Sequence, residues 1–147
     1  MRHLRHLVRR AVTSLSNRPL NPDETAAAAR CLLPAELELW QSMQPRDRRH
    51  SLEVLRRFLD SRPSSSRAEC AAALLHDVGK TASNLGWGMR VVATVIGPRG
   101  NRFTAYHDHE RLGAEMLADI SDPRTVELVA GTLEDDVRTA LCEADDV

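Results

Sequence analysis

Four side chains of the types that bind divalent metals are spread along the chain: His50, the adjacent pair His76 and Asp77, and Asp145. Each falls in a segment whose apolar residues recur at helical spacing. Helices that pack together can bring imidazole and carboxylate groups from distant positions to one metal ion. His76 and Asp77 also come at the end of a predicted helix, where unpaired carbonyl groups favour a cation. His50 taken alone is typical of a structural histidine, so the residues by themselves leave both interpretations open.

The helices that would position these groups follow from apolar periodicity and from the prolines and glycines. Only 3% of the residues are aromatic, so the core must be built from Leu, Val and Ala, which suits packed helices better than a sheet. We therefore predict an all-α fold. The predicted helices cover about residues 4–15, 26–33, 34–43, 45–62, 68–78, 108–120 and 125–146, and residues 82–106 are predicted to be a long functional loop with one helical piece.

Cap residues predict where two of these helices begin. Asp23 is a candidate N-cap for the second helix, and the serines at 64–66 are candidates for the helix over 68–78. Gly79 can end that helix in the left-handed conformation, which glycine adopts without a steric penalty. This end matters because His76 and Asp77 lie next to it.

The composition predicts one globular domain. The chain has 147 residues, of which 42% are hydrophobic and 28% charged, as is typical of a protein that folds around its own core. Its net charge of −1 argues against nucleic acid as a partner. The first half is basic and the second half acidic, which favours mutual neutralisation across a helical interface; a basic docking face is the alternative.

The cysteines and the apolar runs bear on the cellular compartment. Cys31, Cys70 and Cys142 are odd in number and widely spaced, which fits neither a disulfide framework nor a zinc site. No apolar run is long enough to cross a membrane, and we expect a cytoplasmic protein with free thiols. A basic amphipathic helix over residues 4–15 could pack on the domain or lie on an anionic membrane. Homo-oligomer formation stays open.

The order of these histidines and acids resembles the HD superfamily of metal-dependent phosphohydrolases. The resemblance covers about residues 46–147 and leaves residues 1–45 as N-terminal accessory helices packed on an HD-type domain. Its most specific part is the string Leu74-Leu75-His76-Asp77-Val78-Gly79-Lys80. The other matching pieces are Arg49-His50-Ser51-Leu52, His109-Glu110-Arg111-Leu112-Gly113-Ala114, and Leu141 to Asp145.

The resemblance implies a compact all-α domain that binds one divalent metal ion through His50, His76, Asp77 and Asp145. Two imidazoles and two carboxylates suit Mn, Fe, Co, Ni or Mg, and zinc is also compatible. Such an ion lowers the pKa of a bound water and polarises a phosphoryl oxygen. Because Asp77 would hold that ion, the resemblance implies a catalytic role for Asp77 as well. Lys80, the single lysine of the chain, could hold a substrate phosphate.

Four further residues are candidates for the same site. His109 matches a later histidine of the family and could bind the phosphate, donate a proton to the leaving oxygen or ligate a second metal. His107 is the weaker candidate for substrate binding. Arg99 and Arg102 could clamp a phosphate through bidentate contacts, although arginines are common on the surface of a chain with so many of them.

The chain departs from the two-metal members of the family before its final Ala-Asp. Where those relatives have a His or a His-His pair, this chain has Gly131 and Thr132, and no histidine follows His109. We therefore predict one metal ion per chain. The predicted function is a metal-dependent phosphohydrolase for a small phosphomonoester or phosphoanhydride, with nucleotides the favoured substrates. The alternative is a catalytically degenerate HD-type binding or regulatory module that retains the metal site.

Overall fold

The computed structural model describes residues 18–83 and 102–146, with the backbone alone for residues 82–83 and 102–107. Over these ranges the chain is all-α, as predicted, and contains no strand. A 3-10 helix, Val78–Ser83, follows the fourth α-helix. The α-helices are α1 (Pro22–Ala29), α2 (Pro34–Gln41), α3 (Pro45–Ser61), α4 (Arg67–Leu75), α5 (Arg102–Leu117), α6 (Pro123–Ala130) and α7 (Asp136–Asp145).

Polar caps and prolines determine where these helices begin. Asn21, and not the predicted Asp23, caps α1, and it forms a capping box with Glu24. The reason is that Pro22 already occupies the first helical position, so the cap must precede it. Ser66 caps α4, within the predicted serine run. Proline also occupies the first turn of α2, α3 and α6.

The helix α4 lies at the centre of the fold. All of its residues from Cys70 to Leu75 are buried, and three consecutive alanines, Ala71 to Ala73, allow neighbouring helices to approach closely. The helices α3 and α6 both pack on it, α7 packs on α3, and α5 packs on α6 and on the 3-10 helix. The largest fully buried apolar side chains are Trp40, Phe58, Leu74, Leu75, Leu117 and Leu128.

The N-terminal helices α1 and α2 share this core. Ala28, Leu32, Trp40 and Met43 belong to the same buried cluster as the side chains of α3 to α7. The indole N–H of Trp40 donates a 2.9 Å hydrogen bond to the buried hydroxyl of Ser51 on α3. The predicted helix over residues 4–15 lies outside the described residues, as does most of the predicted loop over 82–106.

Several predicted helix boundaries differ from the structure, and at two of them a glycine does not have the role that we predicted for it. The helix α4 ends at Leu75, before the 3-10 helix, and Gly79 is not in the left-handed conformation. The predicted helix over 125–146 is two helices, because Gly131 adopts a φ of 67° and ends α6. The predicted helix over 108–120 begins earlier, at Arg102, and ends at Leu117.

Charged groups join the basic and acidic halves of the chain. Arg62, which directly follows α3, pairs with Asp136 on α7 at 2.7 Å, and Arg67 at the start of α4 pairs with Asp122 before α6. Arg67 also pairs with Glu36, whose side chain on α2 is fully buried, at 3.1 Å. Within residues 18–83 and 102–146, no helix has the length and apolar character needed to cross a membrane.

Gly79 lets the 3-10 helix lie against the backbone of α5. A Cβ atom at this position would overlap the carbonyl oxygen of His109 and would lie 2.9 Å from the backbone nitrogen of Gly113. Backbone atoms of a helix cannot move aside without shifting the whole element. The absence of a side chain at Gly79 is therefore a packing requirement of this fold.

We predict that Gly79→Ala lowers the free energy of unfolding by about 1–3 kcal/mol or more, because it overpacks a backbone contact. Gly113→Ala is the milder comparison, since the nearest atom to its Cβ would be a side-chain atom, Val129 Cγ1 at 3.1 Å, and the nearest backbone atom would be at 3.4 Å. Alanine in a helix interior also gains up to about 1 kcal/mol over glycine. Urea denaturation measures both variants, and a Gly79→Ala protein as stable as the wild type would contradict the packing requirement.

Candidate metal centre

Three elements bring the predicted metal ligands together. His50 lies in the second turn of α3, His76 and Asp77 form the turn between α4 and the 3-10 helix, and Asp145 is the last residue of α7. Because α3 packs against both α4 and α7, these three positions meet at one end of the core. Residues 95 positions apart, His50 and Asp145, are thereby placed in direct contact.

The distances within this group suit a common metal ion. The Nε2 atom of His50 lies 2.8 Å from Asp145 Oδ1, and that of His76 lies 3.3 Å from the same oxygen and 3.6 Å from Asp77 Oδ2. One ligand atom each from His50, His76 and Asp77 lies within 4.8 Å of the others. Asp145 is not a member of that set of three, and it joins the group through its contacts with the two imidazoles. Two ligand atoms that are about 2.1 Å from one ion and subtend a right angle are about 3 Å apart.

A backbone contact aims the imidazole of His76 into the group. Its Nδ1 atom lies 2.8 Å from the carbonyl oxygen of Ala73, which leaves Nε2 facing the carboxylates. A histidine ligand is commonly oriented in this way by a partner on its other nitrogen. The Nε2 atom is buried and lacks a well-formed hydrogen bond. A buried nitrogen without such a bond, beside two carboxylates, is free of a competing donor and could bind a metal ion.

Electrostatics in the group favour a positive charge. The hydrogen bond from His50 and the nearby imidazole of His76 hold the pKa of the Asp145 carboxyl well below its ordinary value. Burial acts to lower the pKa of His76, but the adjacent carboxylates of Asp145 and Asp77 outweigh it, and the pKa is raised. The carboxylates therefore create a negative potential at the imidazole nitrogens, where a proton or a metal cation is stabilised.

A pocket of about 350 Å³ opens beside the group. His76, Asp77 and Asp145 form one part of its lining, together with Lys80 and His109. The ammonium of Lys80 lies 2.7 Å from Asp77 Oδ2, so it is held next to the candidate ligands. Further described lining residues are Glu110, Arg138, Cys142 and Asp146, with Val54, Ala72, Leu128, Val129 and Leu141 as its apolar part.

The structure separates the remaining candidates. Of the neighbours Asp145 and Asp146, Asp145 is the one whose carboxylate contacts both imidazoles. Arg99 lies outside the described residues, and Arg102 and His107 belong to α5 but their side chains are outside the described part. Their proposed contacts with a substrate stay predictions.

Sequence reasoning missed two charged residues of the pocket wall, Glu110 and Arg138, which pair at 2.8 Å. One signal was available for Arg138: it precedes Asp145 by seven residues, two helical turns, and so lies on the same face of α7. Nothing local could reveal its pairing with Glu110, because that contact joins α5 to α7.

Comparisons of the chain with models of known protein families, with curated proteins and with solved structures found no match. The likeness to the HD superfamily therefore rests on the motif residues and stays a prediction.

The thiols of the chain are predicted to differ in reactivity. Burial is the main cause that raises the pKa of the Cys70 thiol to about 11, and it raises that of Cys31 as well. Cys142 is exposed and lines the pocket. Because the thiolate is the reactive form, a disulfide reagent at about pH 8 should label Cys142 in a fast phase and the other two slowly. A fast phase that persists in Cys142→Ser would contradict this order.

Proposed function

We propose that the chain is a metal-dependent phosphohydrolase with one divalent ion held by His50, His76, Asp77 and Asp145. The observation that carries the proposal is the convergence of these side chains, from three elements, on Asp145 Oδ1 and the buried Nε2 atom of His76. A pocket that also contains a lysine and a histidine opens at the same point. The order of the motifs along the chain supports the same assignment.

The charge of the pocket supports a resident cation. The described lining residues of the pocket include more carboxylates than cationic side chains, which are Lys80 and Arg138. An anionic phosphate would be repelled by this excess unless a divalent cation were bound. Imidazole and carboxylate donors suit Mn, Fe, Co, Ni or Mg, with zinc also compatible. The carboxylates among the described lining residues are Asp77, Glu110, Asp145 and Asp146.

Lys80 and His109 have different proposed roles in the hydrolysis. When bound, a divalent ion supplies a Lewis acid for the phosphoryl group and makes hydroxide available at neutral pH. Lys80, which lies 2.7 Å from Asp77 Oδ2, would bind a phosphate oxygen as a point charge. His109, on the α5 side of the pocket, would donate a proton to the leaving oxygen.

Phosphate release tests this proposal. The full chain loaded with Mn or Fe is screened over nucleotides and simple phosphate esters, with Asp77→Ala as the control. Release that is abolished in Asp77→Ala supports the enzyme. A chain that binds the metal and hydrolyses none of these compounds would instead be a binding or regulatory module.

We predict that Asp145→Asn weakens binding of Mn by more than roughly tenfold, because an amide replaces a carboxylate that contacts both imidazoles. Asp146→Asn is the matched control, since it removes the same charge at the next residue, whose carboxylate contacts neither imidazole, and it should lower the affinity by a much smaller factor. Metal titration followed by elemental analysis measures both variants. Equal losses of Mn affinity in the two variants would show that Asp145 is not a ligand. A wild-type chain that binds no metal would contradict the proposed metal centre.

Lys80→Ala should lower kcat/KM by roughly 10- to 100-fold while the metal content stays unchanged, because an ammonium binds phosphate but is not a metal ligand. Arg56→Ala serves as the control. It removes an exposed cation that pairs with Asp60 on α3. Steady-state kinetics and elemental analysis on the same samples separate the two effects. If metal and activity fall together, Lys80 has a structural role.

A further inference from the structure

The pocket has a second end, which the proposed reaction leaves unexplained. Arg138, Leu141, Cys142 and Asp145 lie at spacings of three, four and seven residues on α7, and all of them line the pocket. Arg138 and Asp145 are two turns apart, or about 10 Å along the helix axis. A substrate whose phosphate lies at Asp145 would therefore extend its leaving group along α7 towards Arg138.

The guanidinium of Arg138 is fixed in place by the neighbouring helices. Its Nη2 atom donates to Glu110 Oε1 on α5 at 2.8 Å, and its Nη1 atom donates to the carbonyl oxygen of Leu128 on α6 at 3.2 Å. Gly131 makes room for this pair, since a Cβ atom there would lie 2.8 Å from both Arg138 Nη2 and Glu110 Oε2. Three helices thus hold the guanidinium and the carboxylate side by side in the wall.

Charge and polarity distinguish this end of the pocket from the metal end. Glu110 neutralises Arg138, so the pair offers hydrogen-bond donors beside acceptors with no net charge. The apolar side chains of Leu128, Val129 and Leu141 line the same pocket. A second phosphate would gain no net attraction from the neutral pair, whereas an uncharged group with an apolar face and a polar edge matches both features.

We infer that Arg138 determines specificity for the leaving group and that Glu110 is its positioning residue. This inference rests on the proposed phosphohydrolase function and deepens it. The favoured substrate is a phosphomonoester whose leaving group is uncharged and carries an acceptor next to a donor. The Arg138 guanidinium donates to the acceptor, and the Glu110 carboxylate accepts from the donor.

Three phosphate compounds test the inference on the metal-loaded full chain. Uridine 5′-monophosphate has a leaving group with adjacent C=O and N–H groups, phenyl phosphate has a leaving group without them, and uridine 5′-diphosphate adds a second anionic group. The wild type should favour uridine monophosphate over phenyl phosphate at least tenfold in kcat/KM. Arg138→Gln should remove this preference by raising KM for the nucleotide at least tenfold more than KM for phenyl phosphate, in samples of equal metal content.

Glu110→Gln supplies an independent measurement. It keeps an acceptor beside Arg138 but removes the neutralising charge, so use of the diphosphate relative to the monophosphate should rise roughly tenfold. Arg62→Gln is the matched control for Arg138→Gln. It removes another arginine paired with α7, at Asp136, outside the pocket lining, and should leave all three compounds unaffected.

The outcomes separate this inference from the proposed function. A wild-type chain that binds metal but hydrolyses neither these three compounds nor the others of the nucleotide and phosphate-ester screen overturns both. A wild-type chain without the preference for uridine monophosphate overturns the inference alone. A wild-type chain that hydrolyses them, with the same preference in Arg138→Gln, overturns the inference and leaves the function standing. If Arg138→Gln does not fold, the inference is tested with Glu110→Gln. A ratio of diphosphate to monophosphate use that is the same in Glu110→Gln as in the wild type then overturns the inference.

Discussion

The carboxylate of Asp145 contacts imidazoles from two other elements, and this contact constrains where the end of α7 lies relative to α3 and to the end of α4. A carboxylate that is partly removed from water is costly without partners, so α7 must end where His50 and His76 can reach it. Arg57 on α3 adds a second connection by donating a 3.0 Å hydrogen bond to the carbonyl oxygen of Ala144. The last helix is therefore attached to α3 by polar contacts at the point where the pocket opens.

The group formed by His50, His76 and Asp145 lies next to the hydrophobic core. Ser51, the residue after His50, accepts from Trp40 and donates to the carbonyl oxygen of Arg48 at 2.8 Å, so the turn that carries His50 is fixed by buried hydrogen bonds. On the other side, His76 follows the fully buried end of α4. Rigid placement of both imidazoles is what a site for one small ion requires, since ligand distances vary little.

The parts of the fold that follow from local pattern were predictable, and those that depend on contacts between helices were not. The apolar stripe and prolines of α3 predict residues 45–62, and the helix spans Pro45–Ser61. Gly79 and Gly131 were misinterpreted because the role of a glycine depends on what approaches it or on where the neighbouring helices must go. For the site, motif order was sufficient to select His50, His76, Asp77 and Asp145, which the fold brings together, whereas the pair of Glu110 and Arg138 forms only when α5 and α7 pack.

The close packing at Gly79 also bears on how the protein tolerates change in length. The 3-10 helix and α5, which flank residues 84–101 in the chain, are held against each other by a backbone contact. When the two elements that flank a connection already contact each other, a change in the length of a flexible connection alters mainly the entropy of loop closure, and a doubling costs about 0.6 kcal/mol. The position of His76 and Asp77 relative to α5 therefore depends on the backbone contact at Gly79 rather than on the number of residues between Ser83 and Arg102.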